Sequence, residues 1–231
     1  MLFERTAVPP LRFASVGMTK VRAVAFVWIG CWWRDPAASP DMMVSMSLTA
    51  AVAPEILDRA RKIKLFLMDV DGTLTDGGVM LMSLPNDGGV AEMKTFNSQD
   101  GMGLKLAHTM GIRTGFITGR KSPAVSQRAR ELKVEFVYLG QETKMAAFDE
   151  CLQKAGVQED EVAYMGDDLP DMPVAKRAGL AVAVANAAPE LKAISHYVTG
   201  SRGGEGSARE VVELILKAQG RWEEAIPRAL A

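Results

Sequence analysis

The stretch "LFLMDVDGTLTDG", residues 65–77, limits what this chain can fold into more than any other. Leu65 to Met68 is continuously apolar, the pattern of a strand covered on both faces rather than one with a wet side. It runs straight into Asp69 and Asp71, whose side chains, two positions apart on an extended chain, lean the same way. Two anionic groups so placed repel each other, and burying either is costly. A cation is expected beside them.

From Ser47 onward, helical and extended patterns alternate. Residues 54–63 carry helical apolar spacing, and a strand follows at 64–69. Residues 79–95 read as a hairpin, with "PNDGG" (85–89) as its turn. Helices are expected near 101–110, 122–132, 142–155, 169–178 and 207–219, and strands at 112–117, 134–139, 161–166 and 180–184. That alternation predicts βαβ units and a parallel sheet, with chemistry gathered at the carboxyl ends of the strands.

Residues 1–46 do not share this pattern. They hold Trp28, Trp32 and Trp33 and an apolar run from Ala23 to Trp33 behind Lys20 and Arg22. Eleven residues are too few to span a bilayer as a helix. Three aromatics and no clear small-x-small cleavage site make a poor signal peptide. The expectation is an extension without stable structure or a start assigned too far upstream, with the working domain at 47–231. Hydrophobic residues make up 48% of the 231, enough for a core, and a net charge of −1 gives no reason to expect nucleic acid or an anionic membrane as partner. The two cysteines, Cys31 and Cys151, form neither a disulfide framework nor a zinc-ligand spacing, which suits a reduced, cytoplasmic protein.

Three strand ends carry polar residues: Asp69-Val70-Asp71, then Thr118-Gly119-Arg120, then Asp167-Asp168 with Asp171 a helical turn further on. Any one alone is best read as a helix cap, since Asp and Thr cap helices well. Three on one sheet edge point to a site. Converging carboxylates with no His or Cys nearby favour magnesium, and magnesium beside a carboxylate suits phosphoryl transfer.

"DVDGTLTDG", "ITGR", Lys144 and "GDDLPD" resemble, in order, the four motifs of the haloacid dehalogenase-like phosphatases. The resemblance implies a Rossmann-like, three-layer α/β/α sandwich around a parallel sheet. It also implies that Asp69 attacks phosphorus to form an aspartyl-phosphate, while Asp71 protonates the leaving oxygen and then activates water. Thr118 and Lys144 would bind the phosphoryl group. Asp69, the backbone carbonyl of Asp71 and Asp167 would hold Mg2+, with Asp168 in support.

Only 26 residues separate Thr118 from Lys144, and Gly77 to Ile112 has room for just a hairpin and a helix, so no cap domain fits. The apolar arm "VMLM" (79–82) would expose at least one face unless another chain covered it, so an oligomer is expected, with a neighbour's hairpin flap as lid. This arrangement is similar to that of the capless, tetrameric phosphatases that hydrolyse 3-deoxy-D-manno-octulosonate 8-phosphate in lipopolysaccharide sugar synthesis. The resemblance covers about residues 55 to 226, through "KTFNSQDGMGLK" (94–105), "TGRKSPAVSQR" (118–128), "AYMGDDLPDMPV" (163–174) and "GGEGSAREVVELILKAQG" (203–220). It implies that Asn97, Ser98, Gln99, Asp100, Gly101, Lys105, Gly119, Arg120 and Arg128 join Asp71 and Lys144 in lining a sugar-phosphate pocket. Arginine and lysine suit a carboxylate-bearing sugar. Gln99 and Glu205 stand where relatives often have basic residues, and the hairpin is a few residues longer than usual. These departures leave a nonulosonate 9-phosphate as an alternative substrate. A non-catalytic subunit on the same fold is a further alternative, against which stand the intact Asp69, Asp71, Lys144 and Asp167.

Overall fold

The computed structural model describes residues 52–85 and 88–230. The segment 1–46, expected to lack stable structure, lies outside the described residues, as do 86 and 87 of the hairpin turn.

The elements in chain order are α1 (Pro54–Arg61), β1 (Leu65–Met68), β2 (Met80–Ser83), β3 (Val90–Met93), α2 (Ser98–Thr109), β4 (Arg113–Thr118), α3 (Pro123–Glu131) and β5 (Phe136–Leu139). Then follow α4 (Met145–Ala155), β6 (Val162–Gly166), α5 (Met172–Ala175), β7 (Leu180–Ala183), α6 (Pro189–Ile194), β8 (Tyr197–Val198), α7 (Ser207–Ala218) and α8 (Trp222–Leu230). The main sheet runs β5-β4-β1-β6-β7-β8, with every neighbouring pair parallel. β2 and β3 form a separate antiparallel hairpin.

Every residue of β1, β6 and β7 is buried, so both faces of the sheet centre are covered. α2 packs on α7, and α1 and α8 pack against the same pair, while α4, α5 and α6 make a second group. This is the Rossmann-like layered α/β fold. Between the layers Phe66, Phe116, Phe148 and Tyr164 are fully buried; an apolar side chain of that size contributes roughly 1.5–3 kcal/mol on burial.

Local chemistry sets the element ends. Asn97 caps α2 by accepting from the Gln99 amide, and Ser122 caps α3 by accepting from Val125, with Pro123 pre-shaped for the first turn. Among the described residues, only the hairpin and α2 lie between β1 and β4, and only α3 and β5 between β4 and α4, so no cap domain is present. No helix among the described residues is long and apolar enough to cross a membrane.

Candidate active site

β1 and β6 lie side by side at the centre of the sheet, where β1 makes its turn toward Asp71 and β6 ends at Gly166. The Asp69 amide continues the ladder by donating to the Met165 carbonyl at 3.0 Å, which aligns Asp69 with Asp167 on the neighbouring strand end. After Asp69 the chain curls around one acceptor: the amides of Thr73, Leu74 and Thr75 all donate to the Val70 carbonyl at 3.2, 2.8 and 3.0 Å.

Gly72 has φ +84°, and a Cβ there would lie 2.1 Å from Asp167 Oδ2. Only glycine permits both that backbone and the approach of the Asp167 carboxylate. The Thr73 hydroxyl then donates to Asp167 Oδ1 at 3.2 Å. Gly203 presses on the outside of the same loop, where a Cβ would meet the Gly72 carbonyl oxygen at 1.7 Å. The "DGT" and "GG" segments are therefore two halves of one backbone contact.

Lys144 is buried immediately before α4, with its Nζ 2.8 Å from Asp69 and 2.6 Å from Asp171. Burial opposes its charge, but the Asp69 and Asp171 carboxylates outweigh it and raise its pKa above the ordinary lysine value. Burial pushes Asp69 up to about 6, against the pull of Lys144 and with a further push from Asp171. Burial likewise lifts Asp167 to about 7, with Asp69 and Asp171 adding repulsion. These two carboxyls are poorly compensated by the protein alone.

Carboxylate oxygens of Asp69, Asp167 and Asp171 all lie within 4.8 Å of one another. Their partners differ sharply. Asp171 Oδ1 accepts from Lys144 and from the Tyr164 hydroxyl, each at 2.6 Å, and Oδ2 accepts from the amides of Asp167 and Asp168 at 2.9 and 3.2 Å. Four donors use the capacity of a carboxylate. Asp171 is therefore a brace for Lys144 and for the turn, and Asp69 and Asp167 are left to face a cation. A hard, oxygen-liganded ion such as magnesium fits this donor set and would offset the burial and the carboxylate repulsion that lift both pKa values. The Asp168 side chain accepts from the Leu169 amide at 2.8 Å, capping the 3₁₀ turn Leu169–Asp171.

Thr118 ends β4 with its hydroxyl accepting from the Arg120 amide at 3.4 Å. Asp69, Asp71, Thr118, Gly119, Arg120, Lys144, Asp167 and Asp168 line one cavity of about 230 Å³, together with Gln141, Glu142, Pro170 and Asp171. The remaining residues expected at the pocket are placed elsewhere in the chain. Ser98, Gly101, Lys105 and Arg128 line a second groove of about 570 Å³, and there Arg128 Nε is buried without a hydrogen-bond partner. Asp100 is buried, with its oxygens accepting from the Gly206 and Arg209 amides. The Asn97 side-chain amide donates to the Gly204 carbonyl, and Gln99 lies beside Gly206. These three hold or flank the glycine-rich loop.

Asp71 has a partner that sequence reasoning did not assign: Lys94 Nζ bonds its Oδ1. Tyr164, the hydroxyl donor to Asp171, was likewise not assigned. For Lys94 the available signal was that Glu92 and Lys94 stand two apart on the second hairpin arm; for Tyr164 it was a phenol inside an otherwise apolar strand.

Residues 140–210 match the family model described as haloacid dehalogenase-like hydrolase. The chain is 44% identical over 174 residues to the 3-deoxy-D-manno-octulosonate 8-phosphate phosphatase KdsC of Salmonella typhimurium, which covers 75% of this chain and 90% of the relative. With its Escherichia coli K12 counterpart the identity is 43% over the same shares. A crystal structure of the 3-deoxy-D-manno-octulosonate 8-phosphate phosphatase from Moraxella catarrhalis, in complex with magnesium ion, phosphate ion and KDO, superposes with a TM-score of 0.70 at 42% identity, covering 75% of this chain and 97% of that one. A probable phosphatase from Pseudomonas syringae gives a TM-score of 0.72 at 44% identity, covering 78% and 99%.

Proposed function

This chain belongs to the haloacid dehalogenase-like hydrolases, and on that premise we propose that it is a magnesium-dependent phosphatase converting 3-deoxy-D-manno-octulosonate 8-phosphate to the free sugar acid and phosphate. The observation that carries the reading is the buried Asp69–Lys144–Asp171 chain beside Asp167. It presents one carboxylate as nucleophile and one cation against the transferring phosphoryl group. Relatives of more than 40% identity that bear this activity support the substrate.

The ion would be held by the carboxylates of Asp69 and Asp167 and the backbone carbonyl of Asp71, with Asp168 in support. It would supply charge neutralisation for the phosphoryl oxygens. The chain's own residues do the rest. Asp69 attacks phosphorus; the bond from phosphorus to the sugar oxygen breaks as the aspartyl-phosphate bond forms. Asp71 gives its proton to the leaving oxygen, then takes one from the water that attacks phosphorus and frees Asp69. Lys144 and Thr118 hold the phosphoryl oxygens. Gly119 and Arg120 border the same cavity, where the sugar enters.

The single chain leaves the substrate grip unfinished. Val79, Met80, Leu81 and Met82 are each about half exposed on the hairpin, and so are Val90 and Met93 opposite. A patch of this kind calls for a covering partner. We propose a homo-oligomer, a tetramer by the resemblance above, in which a neighbour's hairpin completes the lid. The groove of Ser98, Gly101, Lys105 and Arg128 then offers its cations to the sugar carboxylate. A cytoplasmic location accords with a phosphorylated, charged substrate.

Inorganic phosphate release across a panel of sugar phosphates, with and without magnesium, tests the reading. The highest kcat/KM is expected for the octulosonate 8-phosphate, with no turnover after chelation. A clear preference for a nonulosonate 9-phosphate would instead give meaning to Gln99 and Glu205.

A further inference from the structure

Lys94 directly follows β3, and its side chain is only 1% exposed. A lysine ammonium is strongly hydrated and is seldom buried without partners. Here the partners are Asp71 Oδ1 and, at 3.4 Å, Glu92 Oε1. Glu92 and Lys94 are two apart on an extended arm and so project to one side. Glu92 in turn receives Arg120 at 2.8 Å, and Arg120 Nε lies 3.8 Å from Asp71 Oδ2. The result is a closed ring of alternating charge, Asp71, Lys94, Glu92 and Arg120, which ties the hairpin to the nucleophile loop.

Within that ring the two oxygens of Asp71 differ. Oδ1 is bonded to the buried ammonium. Oδ2 is itself buried yet makes no hydrogen bond, in a residue that lines the catalytic cavity. A carboxyl free to rotate could present either oxygen, or neither, to the leaving group. One anchored through Oδ1 has a single oxygen left for proton transfer.

We propose that Lys94 is a positioning residue for the acid step: by holding Asp71 through Oδ1 it leaves Oδ2 to carry the proton to the leaving sugar oxygen. This rests on the reading of Asp71 as the proton donor. In the protonated carboxyl, Oδ1 is the carbonyl oxygen that accepts from Lys94, and Oδ2–H donates. After P–O cleavage the proton is on the sugar hydroxyl, and Asp71 is a carboxylate paired with Lys94. The hairpin is then part of the acid machinery as well as a lid.

The leaving group tells this role from a merely structural one. An alkyl sugar oxygen departs poorly without a proton, whereas p-nitrophenolate departs without one. A residue that only supports the fold would affect both esters alike. The full-length enzyme carrying Lys94→Met, which keeps the stem and removes the charge, is assayed for kcat/KM on the sugar phosphate and on p-nitrophenyl phosphate, beside Lys94→Arg and Asp71→Asn. The sugar phosphate is expected to lose on the order of 100-fold with Lys94→Met, the size of a general-acid contribution, and the aryl ester several-fold at most. Lys94→Arg should restore most of the difference. Equal losses on both esters, or no loss on either, would overturn the proposal. If Lys94→Met does not fold by circular dichroism, Lys94→Gln carries the same ratio. Asp71→Asn separates the two levels. If it abolishes sugar-phosphate turnover while the lysine variants are silent, only Lys94 loses its role; if it leaves turnover intact, the reading of Asp71 itself has failed.

Discussion

At Asp171 every carboxylate lone pair has a donor within 3.2 Å, whereas Met80, on the hairpin, is 57% exposed. The first region is closed upon itself: Tyr164, Asp171, Lys144 and Asp69 form a buried chain whose links come from one polypeptide. The second is a two-stranded ribbon in which Met80 pairs with Met93 and Met82 with Ala91. An isolated hairpin of this kind is marginal in water. Its ties to the domain include the ionic ring through Lys94 and Arg120. The contrast underlies the proposed division of labour: the residues assigned to bond-breaking lie within one chain, and the grip on the sugar is proposed to need an assembly.

The largest effect is expected at the closed region. Asp69→Asn is nearly isosteric but lacks the anionic nucleophile, so turnover should fall at least about a thousand-fold while circular dichroism stays native. Retained activity would show that another group attacks phosphorus. Asp171→Asn removes a charge that Lys144 and two amides rely on. Breaking a buried pair in this way costs about 3 kcal/mol, which denaturant melts would report as a lower midpoint. An unchanged midpoint would mean that the brace is dispensable.

The same region carries a pH signature. In the metal-free protein Asp69 titrates near 6 and Asp167 near 7, both above the ordinary value of 3.8 that the unfolded chain keeps. Between those values the folded state holds protons that the unfolded state has released, so stability falls as pH rises through the window. The chelated protein should therefore melt lower at about pH 8 than at about pH 5, and magnesium should raise Tm most at the higher pH, where both carboxyls are ionised. A metal-free Tm that climbs across this window would contradict the burial of these two groups. The smallest effect expected is for Tyr164→Phe. It takes one donor of four from Asp171, at a cost of about 1–2 kcal/mol, with kcat lowered a few-fold through Lys144. No change in either would make the phenol a packing residue.

Much of this was legible in the sequence because it depends on local pattern. The apolar run before Asp69 has the pattern of a covered strand, and the three polar strand ends fell on one edge once the sheet was parallel. The misses have local causes too. The helix expected at 169–178 is a 3₁₀ turn followed by the four-residue α5, because Asp168 and Asp171 cap the turn and Pro173 has no N–H to donate back to residue 169. α8 contains Pro227, which reads as a breaker, and β8 is two residues long, too short to leave a pattern. Lys94 and Tyr164 acquire their meaning only from what the fold brings opposite them, as Asp71 and Asp171 do for these two. For the same reason, the separate groove around Arg128 could not be told from the main cavity before the chain was folded.

The division between a self-contained reaction centre and a shared substrate grip is tested most directly on the hairpin itself. Met80→Asp combined with Met82→Asp places carboxylates on the face expected to be covered, at a cost on the order of several kcal/mol per buried charge, enough to split a modest interface. Sedimentation together with kcat/KM on two substrates then decides it. A monomer that still hydrolyses p-nitrophenyl phosphate slowly, but has lost most of its preference for the sugar phosphate, is the predicted result. A monomer with unchanged sugar-phosphate specificity would show that the pocket is complete within one chain, and the contrast between the two regions would collapse.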